Sequence, residues 1–214
     1  YGFDQWYKLF THRQLLALGT FVTHSRAVEK ILSENHYTSE WIKAVRGYLA
    51  LVFDRIADYS SSLCMWHNSG EKLAHTFTRF ALPVVWDFCE VNCFAETTGG
   101  FSGGLDWVAR VVQYNLFAIG EAPPAKTLSS SATKIHQSSS WDVIITDPPY
   151  YDAIPYSDSM DFFFVWLRRI LNGLSSEIDS AFKENCSPKW DNEKNDGELI
   201  DDASRFGGNK QKSR

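Results

Sequence analysis

Apolar residues recur at helical spacing twice near the start of the chain. Leu15, Leu18, Phe21, Val22 and Val28 fall on one side of a helix that Thr11 is placed to cap and that runs to about Leu32. Trp41, Ile42, Val45, Leu49, Val52 and Ile56 do the same for a second helix, from Ser39 as cap to about Ser60. Two amphipathic helices in succession predict a packed helical pair. Cys64 to Arg79 is mixed and carries no clear period. Phe80 to Phe94 is apolar and aromatic, with Pro83 near its start, and fits either a strand or a helix. Thr97 to Gly104 reads as a Gly-rich loop, Leu105 to Ile119 as a helix closed near Gly120, and Pro123-Pro124 breaks the chain.

The pattern then changes. Ala125 to Leu128 predicts a short strand, followed by the polar run Ser129 to Ser131. Trp141 to Thr146 is a β-branched run ending at Asp147-Pro148-Pro149, where the missing proline N–H groups end any ladder. This predicts a buried strand with a stiff loop at its carboxyl end. Asp158 or Ser159 is placed to cap a helix from Met160 to about Leu171, whose apolar side carries Phe163, Phe164, Trp166, Leu167 and Ile170. Strand, loop and helix make an α/β unit, and ligands of such sheets sit outside the carboxyl ends of the strands. From Lys183 onward the chain is polar and charged and reads as a solvated, flexible segment. The expected organisation is an α/β fold over residues 1–182, with a helical region at about 10–120 and the α/β unit at about 125–172, followed by a polar tail at 183–214.

Composition narrows the picture. With 44% hydrophobic and 15% aromatic residues among 214, the chain has material for one well-packed domain and is not disordered throughout. The formal net charge of -5 supplies no overall basic face, so any grip on nucleic-acid phosphates must be local. Four cysteines are no disulfide framework in a chain this long. Cys64-x-x-His67 with Cys89 and Cys93 is irregular for zinc, and cysteine is a common core residue, so no metal is expected. No apolar run approaches the ~20 residues of a membrane span, and a cytoplasmic protein with reduced thiols is expected.

The segment Asp147-Pro148-Pro149-Tyr150 carries the candidate chemistry. An exocyclic base amine is a poor nucleophile because its lone pair is delocalised into the ring. Two acceptors aimed at its two hydrogens return electron density to the nitrogen. The Asp147 carboxylate is one, and the backbone carbonyl of Pro148, held by a diproline with φ fixed at about -65°, is the other. Tyr150 offers a face for a base swung out of the duplex, a contact worth roughly 1–3 kcal/mol. The same tetrapeptide is also ordinary turn chemistry. Tyr151, Asp152 and Tyr156 follow closely and are candidates to line the base pocket or DNA groove.

The stretches Asp142–Asp158 and Asp161–Arg169 closely resemble the adenine-specific DNA methylases that carry a domain of unknown function and a zinc ribbon. Leu9–Leu18, Phe77–Asn92 and Ser204–Gly208 are similar to further segments of that family, so the resemblance spans nearly the whole chain. Ser159-Met160 stands where Leu-Ser is expected, and Cys93 where a proline is expected. The resemblance implies a partial Rossmann-like methyltransferase fold with helical insertions. It implies S-adenosylmethionine as cofactor, DNA as partner, and transfer of methyl to the N6 amine of adenine, in restriction-modification or phage defence. It places Ser131 and Ala132, after the preceding strand, against the cofactor. The family's Phe-x-Gly-x-Gly cofactor motif and its zinc ribbon are expected before Tyr1, which makes this chain a catalytic piece expected to be inactive alone. N4-cytosine methylation and RNA base methylation use the same chemistry, and a DNA-binding or assembly module without turnover is the alternative from another class.

Overall fold

A computed structural model describes residues 3–78, 81–127, 130–131, 141–148, 150, 154–184, 186–194 and 196–213. Among them helices dominate. α1 (His12–Glu34) and α2 (Ser39–Asp58) are followed by a short antiparallel ribbon, β1 (Met65–His67) and β2 (Lys72–Ala74), and then by α3 (Phe101–Ile119), α4 (Tyr156–Leu171) and the short α5 (Ser176–Ala181). The fold is thus mixed, with helices and one small two-stranded sheet.

α1 starts where the sequence says it should. The Thr11 side chain accepts from the Gln14 N–H, while the Gln14 side chain accepts from the Thr11 N–H, a capping box that satisfies two otherwise orphaned donors. α2 is capped one residue earlier than expected, by Thr38, whose hydroxyl accepts from the Trp41 N–H. The two helices pack together as predicted, and α3 and α4 lie against α2.

The core is aromatic and centres on α4. Phe162, fully buried, meets the rings of Trp6, Phe10, Phe77 and Phe163 at 5.0–5.9 Å between centroids. One turn on, Trp166 meets Phe10 and Phe53. Burial of each such side chain contributes roughly 2–3 kcal/mol. The carboxyl end of α4 is held by arginines from both helices of the pair. Arg46 donates to the Ile170 carbonyl at 2.6 Å and pairs with Glu29, and Arg26 donates to the Arg169 carbonyl at 2.8 Å. Cations at this end satisfy orphaned carbonyls and oppose the helix dipole.

Several expectations are corrected. α3 begins at Phe101, four residues before the predicted start, because Gly103 and Gly104 are helical and the loop ends at Gly100. A methyl group at Gly104 would stand 3.3 Å from Val52 Cγ1, so the glycine is there for close approach of α3 to α2. Residues 82–94 are neither strand nor helix. α4 also begins four residues early, at Tyr156, with no side-chain cap at Pro155; Asp158 and Ser159 lie inside its first turn. Residues 125–127 form no strand, and Leu128 lies outside the described residues.

The largest correction concerns Trp141–Thr146. These residues form no strand and are exposed, Val143, Ile144 and Ile145 at 72%, 76% and 90%. A β-branched run becomes a buried strand only when a neighbouring strand takes its backbone groups and a second layer covers its face. Among the described residues neither stands beside it.

Candidate functional site

The expected motif lies on the approach to α4. Asp147 and Pro148 are exposed, and Tyr150 is 60% exposed. Pro149, Tyr151, Asp152 and Ala132 lie outside the described residues. Tyr156, the first residue of α4, is half-exposed. Partial loss of solvent, followed by the charges of Tyr150, Asp147 and Glu198, pushes its phenol above the ordinary tyrosine range.

Glu198 belongs to the segment expected to be solvated and flexible, and here the structure corrects the sequence. The Ser157 N–H donates to Glu198 Oε1 at 2.8 Å and the Ser157 hydroxyl donates to Glu198 Oε2. The carboxylate thus supplies the cap that α4 lacks from its own sequence. Arg205, 13% exposed at its side chain, pairs with Glu198 at 2.6 Å and with Asp158 at 3.0 Å, and its Nε lies 3.5 Å from Asp202. Lys189 reaches both Asp158 and Asp161, at 3.0 and 2.8 Å, and the Ser187 N–H donates to Asp161 Oδ1 at 2.6 Å. Burial opposes the charge of Asp158, but Lys189 and Arg205 outweigh it and hold its carboxyl below the usual range. Glu198 shows the same balance: burial opposes its charge, and Ser157 and Arg205 hold the carboxyl low.

Two residues before Glu198, Asp196 reaches the other flank of the motif. The Ser131 hydroxyl donates to Asp196 Oδ1 at 2.7 Å. Ser131, expected against a cofactor, thus has a partner in the carboxyl-terminal segment. Thr97–Gly104, the glycine-rich stretch, runs into the start of α3.

Two cavities lie among described residues away from the motif. One of about 210 Å³ is bounded by Gln14, Leu18 and Phe21 of α1, Ile56 of α2, and residues 90–94, with Arg13 and Glu90 paired at 2.5 Å on its rim. A second of about 460 Å³ lies along Leu82–Phe88. Asp87, in the same stretch, accepts from the Phe88 N–H. Cys64 and His67 also part company: Cys64 is buried, its thiol 3.5 Å from the Asp58 carbonyl, whereas His67 is exposed on the ribbon.

Sequence reasoning missed Glu198, Arg205 and Lys189 as partners of the first turns of α4, and Asp196 as a partner of Ser131. A charged, proline-poor tail looks solvated whenever its counter-charges lie far away in sequence. Among the described residues no helix is long and apolar enough to cross a membrane. Comparison with family models, with curated proteins and with solved structures found no match.

Proposed function

We propose that the chain carries the amine-holding motif of a methyltransferase that modifies the N6 amine of adenine in DNA. One observation carries the reading: Asp147, Pro148 and Tyr150 are exposed a few residues before the start of α4, where a substrate could reach them. A carboxylate and two phenols, beside a stiff diproline corner, are what a flipped base with an exocyclic NH2 requires. Asp147 accepts one amine hydrogen, the Pro148 carbonyl accepts the other, and Tyr150 gives a stacking face. The amine nitrogen becomes acidic only after methylation, so Asp147 need not act as a strong base. Positioning supplies much of the rate in such a reaction. S-adenosylmethionine is the methyl donor the reading implies, with Ser131 and Ala132 as its candidate contacts.

The Rossmann-like architecture belongs to this reading too. It makes the exposed face of Val143, Ile144 and Ile145 a strand awaiting neighbours, with the motif at its carboxyl end.

The test incubates the protein with methyl-labelled S-adenosylmethionine and unmethylated duplex DNA, then digests to nucleosides. Labelled N6-methyldeoxyadenosine is expected from a longer chain extended before Tyr1, and none from this chain alone. Labelled N4-methylcytosine, or label only in an RNA arm, would move the substrate to the corresponding alternative. No label in any arm, with this chain and with a longer chain extended before Tyr1, sinks the proposal.

An assembly module without turnover is favoured by a different observation. Trp107, Tyr114 and Phe117 of α3 are 60–87% exposed, a large apolar surface for a monomer. Calorimetry with S-adenosylmethionine separates the two readings. The enzyme reading expects no tight binding to this chain and clear binding to the longer one, whereas the module reading expects none to either.

A further inference from the structure

The cavity between α1, Ile56 of α2 and residues 90–94 is bounded by a buried donor that its surroundings leave unpaired. Gln14 is 6% exposed, and its side-chain carbonyl is committed to the Thr11 N–H at 2.7 Å. That bond sets which way round the amide sits, so Nε2 is turned away from Thr11. Nε2 has no hydrogen-bond partner among the described residues. A buried donor in that state costs free energy that an acceptor restores. Most of the remaining wall is apolar: Ala17, Leu18 and Phe21 of α1, Ile56, Val91 and Phe94.

The wall is fixed from outside the cavity. Asn92 Oδ1 accepts from the Phe94 N–H at 3.0 Å, and the Cys93 carbonyl accepts from the Phe101 N–H at 2.8 Å, which ties the irregular stretch to the start of α3. The Phe21 ring lies 6.0 Å from that of Phe94 and 5.6 Å from that of Phe101, centroid to centroid. Arg13 and Glu90 on the rim pair with each other, so the rim carries no net charge to select an ion. An apolar cavity of roughly 150 Å³ takes one benzene ring. At about 210 Å³ this one has room for two fused rings.

We infer that this cavity is a binding site for a neutral, flat heteroaromatic molecule of up to two fused rings, one of whose ring nitrogen or carbonyl oxygen atoms accepts from Gln14 Nε2. Apolar walls and aromatic rings supply the affinity, while the single buried donor sets orientation and selects against a plain hydrocarbon. A charged ligand is disfavoured, because its charge would lose water with no free counter-charge to replace it. The site shares no residue with Asp147-Pro148-Pro149-Tyr150 and is independent of the methyl-transfer reading.

The test titrates the 15N-labelled whole chain with quinoline and with naphthalene, which differ by one ring nitrogen and scarcely in volume; at neutral pH quinoline is uncharged. Quinoline is expected to bind saturably. It shifts the Gln14 side-chain NH2 signals, which Gln14→Met identifies by removing them, and the backbone signals of Ala17, Phe21 and Val91. Naphthalene is expected to bind about tenfold more weakly. Gln14→Met keeps the side-chain length and leaves the Thr11 hydroxyl its backbone donor, and it brings the two affinities together. Ala17→Leu fills the cavity and abolishes quinoline binding, with the circular dichroism of the helices unchanged; Ala17→Val serves if the leucine variant does not fold. If Gln14→Met does not fold, the ratio of the two affinities in the parent protein and the Ala17 variant decide. No saturable shift with quinoline, shifts confined to other parts of the chain, equal affinities for the two compounds in the parent protein, or quinoline binding undiminished by the Ala17 substitution each overturns the inference.

Discussion

Two regions of this molecule are equally apolar in sequence and opposite in structure. Phe162-Phe163-Phe164 with Trp166, on α4, sits in the densest packing of the protein, with Phe162 and Ile170 fully buried. Trp141-Asp142-Val143-Ile144-Ile145 is exposed along its length. The difference is one of partners rather than of composition. α4 satisfies its backbone hydrogen bonds internally and needs only a surface to lie on, which α1, α2 and residues 6–10 supply. A strand needs a neighbour for its backbone as well as a cover for its side chains. Hydrophobicity makes burial favourable; complementary surface makes it happen.

Four experiments break or sharpen that contrast. The largest expected effect is at the exposed region and concerns activity alone. In the longer chain, Asp147→Ala is expected to lower methyl transfer by about 10³-fold or more, with the melting temperature and the cofactor affinity nearly unchanged. Retained turnover would leave the exposed segment without a chemical reason for its composition.

Next is the buried region. Phe162→Ala removes a fully buried ring that meets four others and should cost about 3–5 kcal/mol in denaturant unfolding. A loss under about 1 kcal/mol would mean that the aromatic core is not the stabilising centre.

Packing and electrostatics conflict within that same region at Asp54. Burial, reinforced by Asp58, pushes its carboxyl up to about 8, and Oδ1 has no hydrogen-bond partner among the described residues. The unfolded chain releases this proton near its ordinary value of 3.8, whereas the folded chain keeps it until about pH 8. The unfolded state therefore binds fewer protons across that window, and stability falls as pH rises through it. His75, raised by its 2.8 Å contact with Asp58 in spite of partial burial, acts in the same direction: its contribution is present in acid and lost as pH rises through its folded value. Asp158 and Glu198 act oppositely, but only in acid, below the usual carboxylate range. Asp54→Asn is expected to raise stability at pH 8 by about 2 kcal/mol and to flatten the profile between pH 5 and 8, as read from chemical denaturation at several pH values. An unchanged profile would place the ionised carboxylate in water.

The smallest effect returns to the exposed run. Ile145→Ser should change stability by less than about 0.5 kcal/mol, because the side chain is already in solvent. A loss of about 2 kcal/mol would show that the run is covered in solution, and would erase the contrast with α4.

The helical pair was legible because everything that specifies it is local: caps at Thr11 and Thr38, and apolar residues at helical spacing. The existence of α3 and α4 was legible for the same reason, but their starts were not. Gly104 joins α3 because α2 rewards its close approach, and Tyr156–Ser159 join α4 because Glu198 caps them from some forty residues away. The motif itself was legible as chemistry, from a carboxylate, two prolines and an aromatic ring in four residues. Its surroundings were not, since residues 125–127 and 141–146 were read as strands from a pattern that only neighbouring strands can realise.

The sequence by itself determined which segments coil into helices and which few residues carry reactive groups, since both depend on near neighbours in the chain. Tertiary structure alone decided that a charged tail caps the start of α4 through Glu198 and that an apolar run stays uncovered. Ion pairs and buried surfaces are contracts between distant segments, and no local pattern records whether the other party is present.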